Sequence, residues 1–363
     1  MYYLYILIAI VGLGLVIFIH EFGHFLAGKI MGLKVKEFMF GLPGPKLFSF
    51  RWGETEYGAT MIPFGGYVKF AGVESELQLE EDDEDKDTPA ERKYDTQPRW
   101  KKAIIMIAGP FMNMVLPVIL IAIVLIVQGV QVADNRSVIG EVLKGSPAAE
   151  VGLKRGDRVI SIDGQKVDTW QGMVKILKNK PGQQITLVVK RDGDILTLKP
   201  TLQEKDGNGF LGVSMNLLHK RLLPHQALYH GLMQTLGFIK LIVVSLYNVI
   251  IHKPGILVKD SAGPVGITAV SAQIAQNNFW DYIIFLAFIN VNIGILNLFP
   301  FPPLDGGRLA ILGVEALKRG PLNKKLVLAI NAVGMALLLA FMVFIVFSDI
   351  RKLVQGIPFP GGG

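Results

Sequence analysis

The sequence predicts a polytopic α-helical membrane protein with four transmembrane helices, a β-hairpin region in its first connection and an inserted extracytoplasmic β domain. Three observations carry that prediction. Hydrophobic residues make up 51% of the 363, mean hydropathy is +0.42, and the apolar residues are gathered in blocks of bilayer-spanning length. Between the second and third blocks the pattern changes to short strands with Gly-rich corners. The first block, uncharged from Met1 to Ile19, runs directly into His20-Glu21-Phe22-Gly23-His24, ionisable groups where a membrane helix should exclude them.

Residues 1–30 are read as the first transmembrane helix. On a helix, positions i and i+4 share a face, so His20 and His24 can present two imidazoles to one metal ion, with Glu21 close enough to act on a bound water. The bland alternative is a chance match of a three-residue pattern, which a hydrophobic context disfavours. The segment has no basic region before it and no small-residue cleavage site after it, so it reads as a retained anchor. The chain has no cysteine, which excludes disulfides and Cys-ligated metal and leaves His and carboxylate oxygen as ligands. Its net charge of +7 points to anionic lipid and loop orientation. No basic run is interleaved with aromatics in a pattern suited to bases, so no nucleic-acid partner is expected.

Residues 31–100 form the first connection. Phe38 to Val73, rich in Gly, Pro and aromatics, reads as short hairpins, and Glu74 to Glu91 as an acidic, solvated and mobile segment. Lys29, Lys34 and Lys36 at one end and Arg92, Lys93, Arg99, Lys101 and Lys102 at the other place this connection in the cytoplasm and the N-terminus outside. Residues 101–133 are the second transmembrane helix, 280–307 the third and 326–350 the fourth. Between the last two, a cytoplasmic loop at 308–325 carries Arg308, Lys318, Arg319, Lys324 and Lys325 and gives the same orientation. Residues 351–363 are a tail. A further apolar block, Leu228 to Ile251 within a helical region at 206–279, is long enough to cross. Parity argues instead for a helix on the outer interface, since a crossing would carry the Lys318–Lys325 cluster outside.

Residues 134–205 hold short strands around Val138–Val142, Val159–Gly164 and Ile185–Val189. Together with Ser146-Pro147-Ala148-Ala149, which would open a helix, and Gly152-Leu153-Lys154-Arg155-Gly156-Asp157, which would form a turn, they resemble a PDZ domain. That resemblance implies an extended peptide added at a sheet edge, hence a peptide or substrate ectodomain as partner; an unused groove is the alternative.

Two histidines do not complete a catalytic zinc site, which usually has three protein ligands and an open position. Asp305, ending the run Asn297-Leu298-Phe299-Pro300-Phe301-Pro302-Pro303-Leu304-Asp305-Gly306-Gly307, is the candidate third. Counted from the outside, His20 and Asp305 each lie about twenty residues in, roughly 30 Å at 1.5 Å per residue. The prolines break the helix there, tolerable at depth only if the freed backbone is buried in protein or faces water. The lesser alternative for Asp305 taken alone is a helix-terminal carboxylate before a Gly-Gly turn. Asn113 and Asn297, polar residues in membrane segments, are candidates to hold substrate backbone or a developing oxyanion, or to make interhelical hydrogen bonds.

The series His20-Glu21-Phe22-Gly23-His24, Gly65-Gly66-Tyr67-Val68-Lys69, Gly109-Pro110-Phe111-Met112-Asn113, the PDZ-like insertion and Leu304-Asp305-Gly306 resembles the site-2 protease family of intramembrane zinc metalloproteases. The likeness is greatest to bacterial members with an inserted PDZ domain, and the chain has room for one such domain. The resemblance implies Zn2+ as cofactor, His20, His24 and Asp305 as its ligands, and Glu21 as the catalytic residue. It also implies a membrane-associated, reentrant β-hairpin in which Gly65, Gly66 and Tyr67 pair with substrate. The implied activity is cleavage of transmembrane segments of single-span membrane proteins already shortened outside. The implied place is the bacterial cytoplasmic (inner) membrane, with the site near its cytoplasmic side. The competing classes are a metal-ion transporter or metal-binding membrane protein, and an inactive PDZ scaffold.

Overall fold

The computed structural model describes residues 2–41, 43–62, 65–72, 87–252, 262–355 and 357. The acidic segment is outside them from 74 to 86, as is most of the tail. The chain divides into two compact units, Met1–Val124 with Leu223–Gly363, and Leu125–Leu222.

The first unit is helical around one small sheet. Among the described residues, five helices are long and apolar enough to cross a membrane: α1 (Tyr2–Ile30), α2 (Arg99–Gln128), α5 (Pro224–His252), α7 (Phe279–Asn297) and α9 (Lys324–Val354). Four of these coincide with the spans expected from sequence, and α5 is the block read as interfacial. Two shorter helices lie among the described residues, α6 (Pro264–Asn277) and α8 (Asp305–Lys318). Three boundaries differ from the sequence reading. The second span ends at Gln128 rather than at 133, because Gly129 adopts a left-handed φ of 71° and the chain continues as a strand. The third span stops at Asn297, since Pro300, Pro302 and Pro303 cannot donate to a helix ladder. Asp305 therefore heads a new helix, and the stretch 308–325 is mostly α8 rather than a loop.

The sheet in the first connection is more than hairpins. Its order is β2-β3-β1-β4, from β1 (Val35–Phe40), β2 (Lys46–Trp52), β3 (Thr55–Thr60) and β4 (Gly66–Phe70), and β1 pairs with β3 in parallel. Period-two alternation gives it an aromatic side against α1: Phe38 lies 4.8 Å from Phe18 and 4.7 Å from Phe25 by ring centroids. Glu37, Glu56 and Tyr67 occupy the opposite side. At the end of α1, Lys29 and Arg92 both hold Glu54 in the β2–β3 turn, at 2.9 and 2.7 Å. β4 is left as an edge strand among the described residues.

The second unit is the β domain. From β7 (Arg158–Ile162), β8 (Gln165–Lys166), β9 (Leu187–Arg191) and β10 (Asp194–Leu198) it builds the sheet β10-β9-β7-β8, beside the pair β11 (Gln203–Lys205) and β12 (Asn208–Phe210), with helices α3 (Pro147–Glu150) and α4 (Trp170–Lys178). It runs past the boundary of 205 because β13 (Val213–Met215) pairs with β6 (Ile139–Val142), and β14 (Leu217–Lys220) with β5 (Val130–Ala133). Ser146 caps α3, its hydroxyl accepting from the Ala149 N–H. The following turn needs left-handed backbone at Gly152 and Gly156, with φ of 75° and 91°. Trp170, Met173 and Leu177, on one side of α4, close a core with Ile139, Val159, Ile162, Leu187 and Val189.

Candidate metal centre

α1 stays helical through the His-Glu-x-x-His stretch, which stacks His20 and His24 on one face with ring centroids 4.8 Å apart. α7 runs beside α1 in the same direction: the Tyr282 hydroxyl donates to the Ile8 carbonyl at 2.8 Å, and a Cβ at Gly12 would strike that hydroxyl. Further along, the Pro-rich break turns the chain back and places Asp305 at the start of α8. Its neighbours Gly306 and Gly307 are needed there, since a Cβ on either would meet the backbone of Leu298–Phe299 or Phe301–Pro302 within 2.6 Å.

Three donor atoms converge. Asp305 Oδ2 is 3.1 Å from His20 Nε2 and 3.2 Å from His24 Nε2, and the two Nε2 atoms are 3.2 Å apart. All three side chains are buried. His24 Nδ1 lies 2.7 Å from the Ile105 carbonyl, an acceptor only, so Nδ1 carries the proton and the Nε2 of a neutral ring presents a lone pair to the cluster. A carboxylate and imidazole lone pairs packed at such distances repel unless a cation lies among them. A tetrahedral zinc with bonds of about 2.0 Å has ligand–ligand edges of about 3.3 Å, so the donor set and its spacing fit zinc. Among the described residues this is the one group of three or more such side chains able to hold a metal.

Residues 8–341 match Peptidase family M50. The chain belongs to that family. It is 34% identical over 349 residues to a protein of Clostridium perfringens whose name places it among zinc metalloproteases, covering 96% of this chain and 98% of that one. It is 28% identical to the Bacillus subtilis "Regulator of sigma-W protease RasP", covering 94% and 96%. A solved PDZ domain of an SdrC-like protein from Listeria monocytogenes aligns over 24% of this chain and 93% of its own, at 24% identity and a TM-score of 0.21. The chain is a membrane-embedded zinc metalloprotease with zinc as its cofactor.

In this M50 protease, Glu21 follows His20 directly and shares an electrostatic environment with both histidines, Asp305 and Arg308. Gly66 of β4 lies against it: a Cβ there would sit 3.5 Å from Glu21 Cγ and 3.6 Å from Phe18 Cα. Gly65 has a left-handed φ of 88° and packs on Ile17. The Tyr67 hydroxyl donates to Glu37 at 2.6 Å, so this side chain lies on the polar side of the sheet. Asn113 lies 3.4 Å from His20 Nδ1. Asn297 is the last residue of α7 and half-buried.

Sequence reasoning missed three features. The Ile105 carbonyl orients His24, and a backbone acceptor leaves no side-chain signature. Gly109 abuts both imidazoles: a Cβ there would fall 2.4 Å from His24 Nε2 and 2.9 Å from His20 Cε1. Asp349, a carboxylate in the last apolar run, is 1% exposed and accepts from the N–H groups of Gly263 and Gly266 at 3.1 and 2.8 Å. It caps the start of α6.

Proposed function

We propose that the protein cleaves the transmembrane segments of single-span membrane proteins within the bacterial cytoplasmic membrane, in regulated intramembrane proteolysis of clients such as anti-sigma factors or remnant signal peptides. The observation that supports this reading is the 3.1–3.2 Å triangle of His20, His24 and Asp305 beside Glu21. In this reading the three side chains hold the zinc, which supplies a Lewis acid and lowers the pKa of water toward neutrality. Glu21 takes the proton of the attacking water and returns it to the leaving amine nitrogen. A substrate helix shields its own peptide bonds, so it must unwind before attack. The edge of β4, with Gly66 against Glu21, offers backbone groups to hold that segment extended, in the manner of strand addition. β13 of the PDZ-like domain, paired with β6 and on one edge only among the described residues, offers the same to a peptide or ectodomain.

Four crossings, by α1, α2, α7 and α9, put the N-terminus and the PDZ-like domain outside and the metal site toward the cytoplasmic side, with α5 at the outer interface. The parallel descent of α1 and α7 supports this arrangement, because an added crossing by α5 would reverse α7. The domain order is that drawn from the sequence, with the boundaries amended above. Glu21→Gln tests the activity. Cleavage of a reconstituted single-span substrate should fall by about 10²–10⁴-fold with zinc retained, the scale of general acid–base catalysis. Undiminished cleavage contradicts the reading.

A further inference from the structure

The helix that supports the two imidazoles is α2, and it does so at regular spacing. Ile105, Gly109 and Asn113 fall on successive turns of one face. The Ile105 carbonyl takes the Nδ1 proton of His24 at 2.7 Å. Gly109 leaves room for both rings. Asn113, fully buried, reaches His20 Nδ1 with Nδ2 at 3.4 Å, while its Oδ1 has no hydrogen-bond partner.

Those facts conflict with metal binding in one orientation of the amide and agree with it in the other. If Nδ2 donates to His20 Nδ1, that nitrogen is unprotonated, and a neutral ring must carry its proton on Nε2, the atom aimed at His24 and Asp305. A protonated Nε2 cannot ligate. The two ends of a side-chain amide have the same shape and exchange by rotation about its terminal bond. With Oδ1 toward the ring, Nδ1–H donates to it, Nε2 is free to bind, and the orphaned oxygen gains its partner. Ligating histidines characteristically donate their second N–H to such an acceptor.

We infer that Asn113 is a positioning residue of the zinc site: its Oδ1 accepts the Nδ1 proton of His20 and so fixes the tautomer in which Nε2 faces the metal, as the Ile105 carbonyl does for His24. Gly294 makes this possible from α7, because a Cβ there would lie 2.9 Å from Asn113 Cβ. The inference rests on the zinc-site reading above and gives Asn113 a role toward the metal in place of one toward substrate.

The test is zinc affinity of the full-length, detergent-purified protein by chelator competition. Asn113→Leu, nearly isosteric and without an acceptor, should weaken zinc binding by about 10–100-fold, the usual effect of losing such a partner. Asn113→Asp keeps the acceptor and should retain the affinity that the leucine variant loses. Asn113→Ser, too short to reach the ring, should behave like the leucine variant and decides the matter if the latter is not recovered folded. Equal affinity in the parent and the Leu or Ser variants, or equal losses in Asp and Leu, overturns the inference. His20→Ala is the control: if it too binds zinc like the parent, the zinc-site reading itself fails, whereas loss in His20→Ala alone removes only Asn113.

Discussion

At the scale of single residues, Gly109 shows how little tolerance the site has. Nothing larger than hydrogen fits between α2 and the imidazoles, so Gly109→Ala should displace one ring or both. Misplacement by about an ångström costs reacting groups on the order of 10²-fold. Activity and zinc content of Gly109→Ala should therefore fall together, with the protein still folded. Retention of both would mean that the rings tolerate the methyl group. Asp157 in the β domain makes a second case. Burial raises its pKa, but the Arg191 guanidinium, bidentate at 2.7 Å, and the Lys154 N–H outweigh burial and hold it below the usual carboxylate range. Since the folded pKa lies below the unfolded value of about 3.9, the pair's contribution is complete at neutral pH. It is lost as pH falls through the folded pKa. Thermal unfolding of the β domain, followed from pH 7 toward about pH 3, should lose midpoint steeply at the acid end, and Asp157→Asn should flatten that slope.

At the scale of elements, unit-one packing depends on close approaches that glycine permits. Gly23 on α1 and Ala108–Gly109 on α2 meet backbone to backbone, a Cβ at Gly23 falling 2.3 Å from the Ala108 carbonyl oxygen. Asp349 fastens α9 to α6 by accepting two backbone N–H groups, and Gly263 sits so near α9 that a Cβ would lie 2.0 Å from Ile345 Cγ2. Removing this buried charged acceptor should cost on the order of 2 kcal/mol. Asp349→Ala should lower the thermal midpoint while zinc binding persists; an unchanged midpoint would show the cap to be dispensable. Such couplings were poorly legible in the sequence. His20, His24 and Asp305 could be read because charge in an apolar run is conspicuous and their depth can be counted. The partner of Asp349 is a pair of backbone N–H groups more than eighty residues away, and the parallel pairing of β1 with β3 skips the intervening strand, so neither leaves a local pattern.

At the scale of the whole molecule, hydropathy delimits the apolar helices, and charge asymmetry gives an orientation that the α5 block makes contestable. Its composition alone cannot separate lying on a membrane from crossing it. The chain has no cysteine, so single-cysteine variants can be mapped with an impermeant maleimide in intact cells. Lys205→Cys and Asn277→Cys should label from outside, and Lys318→Cys only after the membrane is opened. Protection of Asn277→Cys would show that α5 crosses. The extent of the β domain was only partly readable because β13 and β14 return to pair with β6 and β5, tertiary pairings that local alternation does not announce.

The proposed activity depends on one metal held by residues from α1 and the start of α8. Zinc-edge X-ray absorption of the purified protein examines that directly. Two imidazole nitrogens and a carboxylate oxygen should appear at about 2.0–2.1 Å, with one imidazole lost in His24→Ala and the carboxylate lost in Asp305→Ala. A spectrum unaltered by either substitution, or a protein that binds no zinc, would contradict the account.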